Sequence, residues 1–186
     1  MTMDVLVIGD GPGGLSAALF LAKGGLQVSV YGQDKTAMHW ALLKNYLGVP
    51  EIGGSEFQRR AREQAAEFGA KLVDARVERI VQNGTAYDIF LENGERVSAP
   101  FVILSEGKSP RLAEQLGLPF DENTGLAVDS NGKTALPGVY AIGRLTRPKR
   151  SQAIISAGDG AAAALDILST VKGAPVQDWD SPPKSA

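Results

Sequence analysis

Four β-prone apolar residues, Val5-Leu-Val-Ile8, run directly into Gly9-Asp-Gly-Pro-Gly-Gly14 and then into a stretch of small and apolar residues that ends at Lys23. A short unbroken apolar run fits a strand buried on both faces of a parallel sheet. The segment from Gly13 to Lys23 fits a helix packed back on that strand and ended by Gly24-Gly25. A second β-rich run, Gln27 to Tyr31, completes a βαβ unit of about 30 residues. The turn between strand and helix has the spacing G-x-G-x-x-G. Gly9 permits the tight turn, Gly11 removes the side chain that would block a diphosphate, and Gly14 lets the helix approach the sheet. Pro12 and Gly13 open the helix, whose N-terminus offers free N–H groups and partial positive charge to an anion. With 22 glycines in the chain the pattern alone is weak, and a glycine-rich turn without a ligand is the bland alternative. Its place between a strand and a helix makes it a dinucleotide loop. The local motif does not choose the dinucleotide. The acid expected at the end of the second strand, where it would bind a ribose hydroxyl, is replaced by Tyr31-Gly32-Gln33. Asp34 lies beyond and could substitute only if the loop folds back.

The remaining elements read as α/β. Gly32 to Pro50 is irregular. Gly53 to Phe68 is a charged amphipathic helix. Lys71 to Gln82 alternates like a half-buried strand or strand pair. Tyr87–Glu92 and Glu95–Ser98 flank Asn93-Gly94, a strong hairpin signal. Phe101–Leu104 is another buried strand. A short helix near Leu112–Leu116, a segment Gly125–Val128, a turn at Asn131-Gly132 and a strand Val139–Ile142 follow. A long Ala-rich helix runs from about Gln152 to about Val171. Residues 1–172 form one domain on this reading. Residues 173–186, with Pro175, Pro182 and Pro183, form a loose tail.

Composition narrows the chemistry. The 186 residues suffice for one substantial core, and a net charge of -2 gives no general attraction to nucleic acid or anionic membrane. No cysteine is present, which excludes disulfides, iron–sulfur ligation and thiol redox steps within the chain. One histidine, His39, excludes a multi-histidine metal site. The apolar run after Asp4 is too short for a signal peptide, and no stretch reads as a membrane span, so a cytoplasmic protein is expected.

Three segments resemble the FAD domain of the thioredoxin reductase family. The first is Val5 through Ala18. The second, Asn45-Tyr-Leu-Gly-Val-Pro50, is similar to that family's Asn-Tyr-Pro-Gly loop beside the flavin. The third runs from Thr134-Ala-Leu-Pro-Gly-Val-Tyr-Ala-Ile-Gly143 through Gln152-Ala-Ile-Ile-Ser-Ala-Gly-Asp-Gly160, like the family's second flavin motif and the helix after it. Order and spacing match from about residue 4 to about residue 171. The resemblance implies a Rossmann-like FAD-binding domain: a parallel central sheet, helices on its faces and a small antiparallel hairpin or meander insertion. It implies FAD contacts at Gly9, Gly11, Pro12, Gly13 and Gly14, at Tyr31, Gly32, Gln33 and Lys35, and at Asn45 and Tyr46. Further contacts follow at Ser105, Gly107, Gly143, Arg144, Ser151, Gln152 and Ala153. Val77 matches the family position whose backbone meets the adenine, or is an ordinary inward strand residue.

The departures carry equal weight. The family inserts an NADPH domain with a redox-active Cys-x-x-Cys where Phe101-Val-Ile-Leu-Ser-Glu-Gly107 ends. Here about 20 residues separate Gly107 from Val128, too few for such a domain. The chain resembles the short, FAD-domain-only relatives, and thioredoxin reduction by the usual route is not expected. Arg144 stands where the family has an Asp that binds the cofactor. An arginine can serve a phosphate as a bidentate donor. It can also point away and leave a backbone N–H to bind, or the exchange can lower FAD affinity.

Ser151 suits an N-cap for the last helix. The resemblance implies that amides at Gln152 and Ala153 stabilise an anionic reduced flavin and raise its potential. Arg144, Arg147, Lys149 and Arg150 form either a solvated loop or a docking patch for an acidic redox protein or anionic small molecule. Tyr46 and Trp40 either cover the flavin or fill core, with packing the more ordinary role for Trp40. His39 reads as solvent-exposed, with no acid or nucleophile spaced to pair with it. No catalytic side chain and no metal ligand set emerges. Two functions follow: a redox flavoprotein taking electrons from an external partner, or a non-catalytic FAD module that completes another subunit. A homodimer over the surface left by the missing domain is a further expectation.

Overall fold

The computed structural model describes residues 3–182. In chain order it contains β1 (Val5–Ile8), α1 (Pro12–Lys23), β2 (Val28–Gly32), β3 (Leu42–Leu43), β4 (Ile52–Gly53), α2 (Gly54–Glu67) and β5 (Lys71–Asp74). Then come β6 (Val77–Asn83), β7 (Ala86–Leu91), β8 (Arg96–Ala99), β9 (Phe101–Leu104), α3 (Arg111–Gln115), β10 (Phe120–Asp121), β11 (Gly125–Leu126), β12 (Val139–Ala141) and α4 (Ala153–Lys172).

The central sheet is parallel throughout, in the order β12-β9-β1-β2-β5. Its alternation explains why β1 is apolar at every position. Val5 and Val7 face a core built with Leu15, Ala18 and Leu21 of α1 and with Ala163, Ile167 and Leu168 of α4. Leu6 and Ile8 face the opposite core, built with Tyr87, Ile89 and Leu91 of β7 and Leu112 of α3. The sheet is thus the Rossmann-like one expected, but its two covers differ. Helices α1, α2 and α4 cover one face; the antiparallel sheet β6-β7-β8 and the short α3 cover the other.

The segment read as one strand or a pair is a pair: β5 closes the parallel sheet, while β6 opens the antiparallel one. The Asn93-Gly94 hairpin forms between β7 and β8, with Gly94 at φ 84° and the Asn93 side chain accepting from the Glu95 amide at 2.9 Å.

The tail is tied down within the described residues. Val176 packs on the helical core and its amide donates to Ser169 Oγ at 3.0 Å. Lys23 pairs with Asp178 at 2.8 Å and with Asp180 at 2.5 Å. These contacts explain why a proline-containing tail runs back along the domain. Residues 183–186 lie outside the described residues.

By length and composition α4 would also serve as a membrane span, contrary to the sequence reading. Its buried stripe, Gly160, Ala163, Ala164, Ile167 and Leu168, packs inside the domain. Asp166 on the same helix accepts from the buried Tyr140 hydroxyl at 2.5 Å, from Asn131 at 3.1 Å and pairs with Lys133 at 2.8 Å. Burial and the Asp166 carboxylate both raise the Tyr140 phenol, which stays protonated. Tyr140→Phe should therefore lower stability by about 1–2 kcal/mol, because one acceptor loses its buried donor while Lys133 and Asn131 still hold Asp166. Chemical denaturation of the two proteins measures the difference.

Candidate functional site

At the carboxyl ends of β1, β9 and β12 lies a cleft of about 510 Å³, in the position where open parallel sheets bind ligands. Its floor is the turn from β1 into α1. Gly9 adopts φ 106°, and a Cβ there would fall on the Ser105 carbonyl oxygen at the end of β9. Gly14 abuts the Gly9 carbonyl in the same way, so it packs beneath the turn rather than lining the cleft. Gly11 differs. As the N-cap of α1 it has ordinary extended backbone, and a Cβ would meet only Thr36 Oγ1, at 3.6 Å. Its missing side chain leaves room in the cleft itself. Pro12 has no N–H, and the first α1 bond seen is from Leu15 to Gly11 at 3.0 Å, so the amides at the start of the helix face the cleft.

A second helix opens onto the same cleft. The N-cap of α4 is Gln152, not Ser151, and no side chain caps it. Ser151 stands one residue outside, because Gln152 is the last residue with extended backbone. Helices α1 and α4 come together at Gly13 and Gly160. A Cβ on Gly160 would overlap the Gly13 carbonyl oxygen and approach the Ala17 amide nitrogen to 3.0 Å.

Three cations line the cleft: Lys35, Lys108 and Arg144. Arg144 forms no ion pair among the described residues, whereas its neighbour Arg147 is bound to Asp159, which also accepts from the Gly143 amide at 3.1 Å. The basic loop is therefore divided. Arg147 is neutralised, Lys149 donates to the Asn123 side chain, and Arg144 and Arg150 stay free of acids among the described residues.

The two acids in the lining behave differently. Asp10 is buried and already matched: its carboxylate pairs with Arg62 and accepts from the Asp34 amide at 3.0 Å. It occupies the space that a side chain on Gly32 would need. Glu106 is half-buried, and its oxygens accept from the Leu112 and Ala113 amides at 3.2–3.4 Å. Burial pushes its carboxyl up to about 7, against the lowering effect of those amides.

Of the expected contact residues, Gly9, Gly11, Pro12, Gly13, Lys35, Ser105, Gly107, Gly143, Arg144, Ser151, Gln152 and Ala153 line this cleft. The others lie elsewhere. Tyr31 is buried in the sheet-side core, and Gly32 makes way for Asp10. Gln33 bridges Glu92 and Lys35 on the surface. Asn45 stands at the rim, donating to Gln152 Oε1 at 3.2 Å. Tyr46 packs on Phe57 of α2, with ring centroids 5.1 Å apart. Val77 is an inward core residue of β6 whose carbonyl accepts from the Arg111 guanidinium of α3.

The sequence reading missed Asp10, Thr36, Met38, Leu43, Glu106, Lys108 and Ser156 in the lining. Glu106 and Lys108 flank Gly107 and were the ones a motif-based reading could have found.

Two side-chain expectations reverse. Trp40 is 92% exposed rather than packed, with Leu47 beside it in sequence at 88%. His39 does find an acid and a hydroxyl. Its Nε2 lies 2.8 Å from the Asp34 carbonyl oxygen and 3.2 Å from that residue's carboxylate, and its Nδ1 lies 3.0 Å from Ser55 Oγ. A carbonyl can only accept, so Nε2 carries a proton and Nδ1 accepts from Ser55 in the neutral ring. The arrangement clamps the loop carrying Thr36 and Met38 onto the first turn of α2, outside the cleft. Among the described residues no cluster of acids and histidines suits a metal.

The family described as pyridine nucleotide-disulphide oxidoreductase matches residues 3–49 and 48–160. Thioredoxin reductase of Helicobacter pylori is 32% identical over 117 residues, 59% of this chain and 37% of that protein. One component of the alkyl hydroperoxide reductase of Xanthomonas campestris pv. phaseoli is 25% identical over 182 residues, 95% of this chain and 33% of that protein. The chain thus spans 33–37% of the length of these relatives. In three dimensions it is similar to a thioredoxin reductase from Gloeobacter violaceus, with a TM-score of 0.86 at 19% identity over 97% of this chain and 99% of that one. It is also similar to the atypical thioredoxin reductase TRi from Desulfovibrio vulgaris Hildenborough, with a TM-score of 0.82 at 20% identity over 92% of this chain and 99% of that one.

Proposed function

Since the chain belongs to the pyridine nucleotide-disulphide oxidoreductase family, we propose that its cleft holds FAD and that the protein is a flavin oxidoreductase reduced by an external donor. The observation that carries this reading is the convergence of two helix N-termini, the open face of Gly11 and three cations on one cleft. That donor set fits a diphosphate: backbone N–H groups and dipole ends provide directional bonds, and Lys35, Lys108 and Arg144 provide charge. The α4 N-terminus, with Gln152 and Ala153, suits the ring end of the cofactor, where its partial positive charge favours an anion. When bound, the flavin supplies the electron transfer; the protein supplies binding, orientation and electrostatics.

The donor is a small molecule or an acidic redox protein, and Lys149 and Arg150, which immediately precede the lining residue Ser151 in the chain, suit the approach of either. A second reading is a non-catalytic FAD module completing a partner subunit. It is favoured by the absence of cysteine and by the short stretch after Gly107, which holds only α3 and the pair β10–β11 before β12.

Visible flavin absorption in the purified protein, or uptake of added FAD by a colourless preparation, tests the cofactor. Folded protein that takes up none overturns the reading. Anaerobic titration with NADH, NADPH or a reduced acidic carrier then separates the two functions, since bleaching is expected only of the oxidoreductase. Arg144→Ala is expected to weaken FAD binding about tenfold to a hundredfold, the loss of a charge-assisted bond worth about 1.5–3 kcal/mol. Fluorescence titration of the apoprotein measures it, and unchanged affinity would show that the guanidinium points away.

A further inference from the structure

Resting on the reading of the cleft as an FAD site, we propose that Glu106 makes its occupation proton-linked: the carboxyl binds a proton as the diphosphate enters and releases it as the diphosphate leaves. The geometry begins at Ser105, whose carbonyl abuts Gly9 and whose amide donates to the Ile8 carbonyl at 2.8 Å. Glu106, the next residue, therefore lines the same cleft as the start of α1, while its carboxyl reaches back to the Leu112 and Ala113 amides of α3.

The groups around this carboxyl leave its charge poorly compensated. Its only hydrogen bonds among the described residues come from backbone amides, at 3.2–3.4 Å, which is long for such bonds. No cation pairs with it there. On its own segment and α3, Arg111 favours the charged form from a distance while its guanidinium donates to the Val77 and Glu78 carbonyls, Glu114 repels, and Lys108 makes no ion pair among the described residues. Across the cleft stand Lys35 and Arg144, and Asp10 is already matched by Arg62.

A diphosphate adds two negative charges to this cleft and displaces water from it. Both effects disfavour an ionised carboxylate, and the cations that could offset it bind the phosphates instead. Burial already holds the free carboxyl near neutrality, so the added charge acts within the accessible pH range. The sign follows from linkage: the bound state has the higher pKa, so affinity is full at low pH and falls as pH rises through the ionisation of free Glu106.

The test is an FAD titration of the apoprotein by fluorescence between about pH 6 and about pH 9, spanning the ordinary histidine range and beyond. Calorimetry in two buffers of different ionisation enthalpy counts the protons taken up. The wild type should lose about tenfold in affinity across the range, with net proton uptake near neutrality. Glu106→Gln should give a flat profile, tighter than wild type at the alkaline end. A wild type with a flat profile and no proton uptake overturns the proposal, as does a slope that survives in Glu106→Gln. Absence of FAD binding at every pH overturns the cofactor reading itself. Should the variant not fold, the wild-type proton count decides.

Discussion

A Gly11→Val chain is expected to fold as the wild type does and to be purified without flavin. Both halves follow from the same environment. Gly11 has φ -74°, which any residue adopts, and its only neighbour within 4 Å of a new Cβ is the Thr36 hydroxyl at 3.6 Å. Neither backbone strain nor a clash at Cβ opposes the substitution, so the expected stability cost is the modest one of a poor N-cap residue, about 1 kcal/mol. The two methyl groups, however, occupy the space directly over the first α1 amides, where a diphosphate must come within hydrogen-bonding distance. Loss of those bonds should lower affinity by about a hundredfold or more, on the order of 3 kcal/mol. Flavin content after purification and the thermal midpoint of the apoproteins test the two parts separately. Wild-type flavin content in a folded Gly11→Val protein would remove the diphosphate from this turn.

The opposite combination is expected of Gly160→Ala, which alters no cleft residue. A Cβ at Gly160 would lie within the radius of the Gly13 carbonyl oxygen and 3.0 Å from the Ala17 nitrogen. These are backbone atoms of α1 and cannot rotate aside, so the two helices must separate. Overpacking of a close-packed interior costs about 1–3 kcal/mol when side chains can adjust, and more when they cannot. A loss of about 3 kcal/mol or more is expected, visible as a thermal midpoint lower by roughly 6–12 °C. Flavin should be lost too, because separating α1 from α4 moves the two helix N-termini that face the cleft. Gly158, two residues away on the exposed side of α4, has nothing within 4 Å of a new Cβ. Gly158→Ala should therefore be neutral or stabilising by up to about 1 kcal/mol, through helix propensity alone. Equal behaviour of the two variants would show that the crossing does not depend on glycine.

The β1–turn–α1 unit was legible in the sequence because its causes are local. A buried strand needs an apolar run, a left-handed turn needs a glycine such as Gly9, and a helix start needs an N-cap and tolerates Pro12. All are satisfied by neighbours within a few residues. The Asn93-Gly94 hairpin and the extents of α2 and α4 were legible for the same reason.

What the sequence left open depends on residues far apart in the chain. Trp40 reads as packing because aromatics usually bury area, but its ring projects from a loop held to α2 through His39 and stays exposed. His39 looks unpartnered in sequence because Ser55 lies 16 positions away, on a helix that only the packed domain brings beside it. The surroundings of Val77 are equally non-local, since Arg111, 34 positions on, donates to its carbonyl. The charge of the cleft is decided in the same way. Asp159 neutralises Arg147 and leaves Arg144 free of acids among the described residues, Arg62 neutralises Asp10, and burial pushes the Glu106 carboxyl up to about 7. Backbone conformation answers to adjacent residues, whereas burial and pairing answer to whatever the fold places within a few ångströms. The sequence alone therefore determined the strand, glycine turn and helix that floor the cleft, and only the tertiary structure decided which charges surround it.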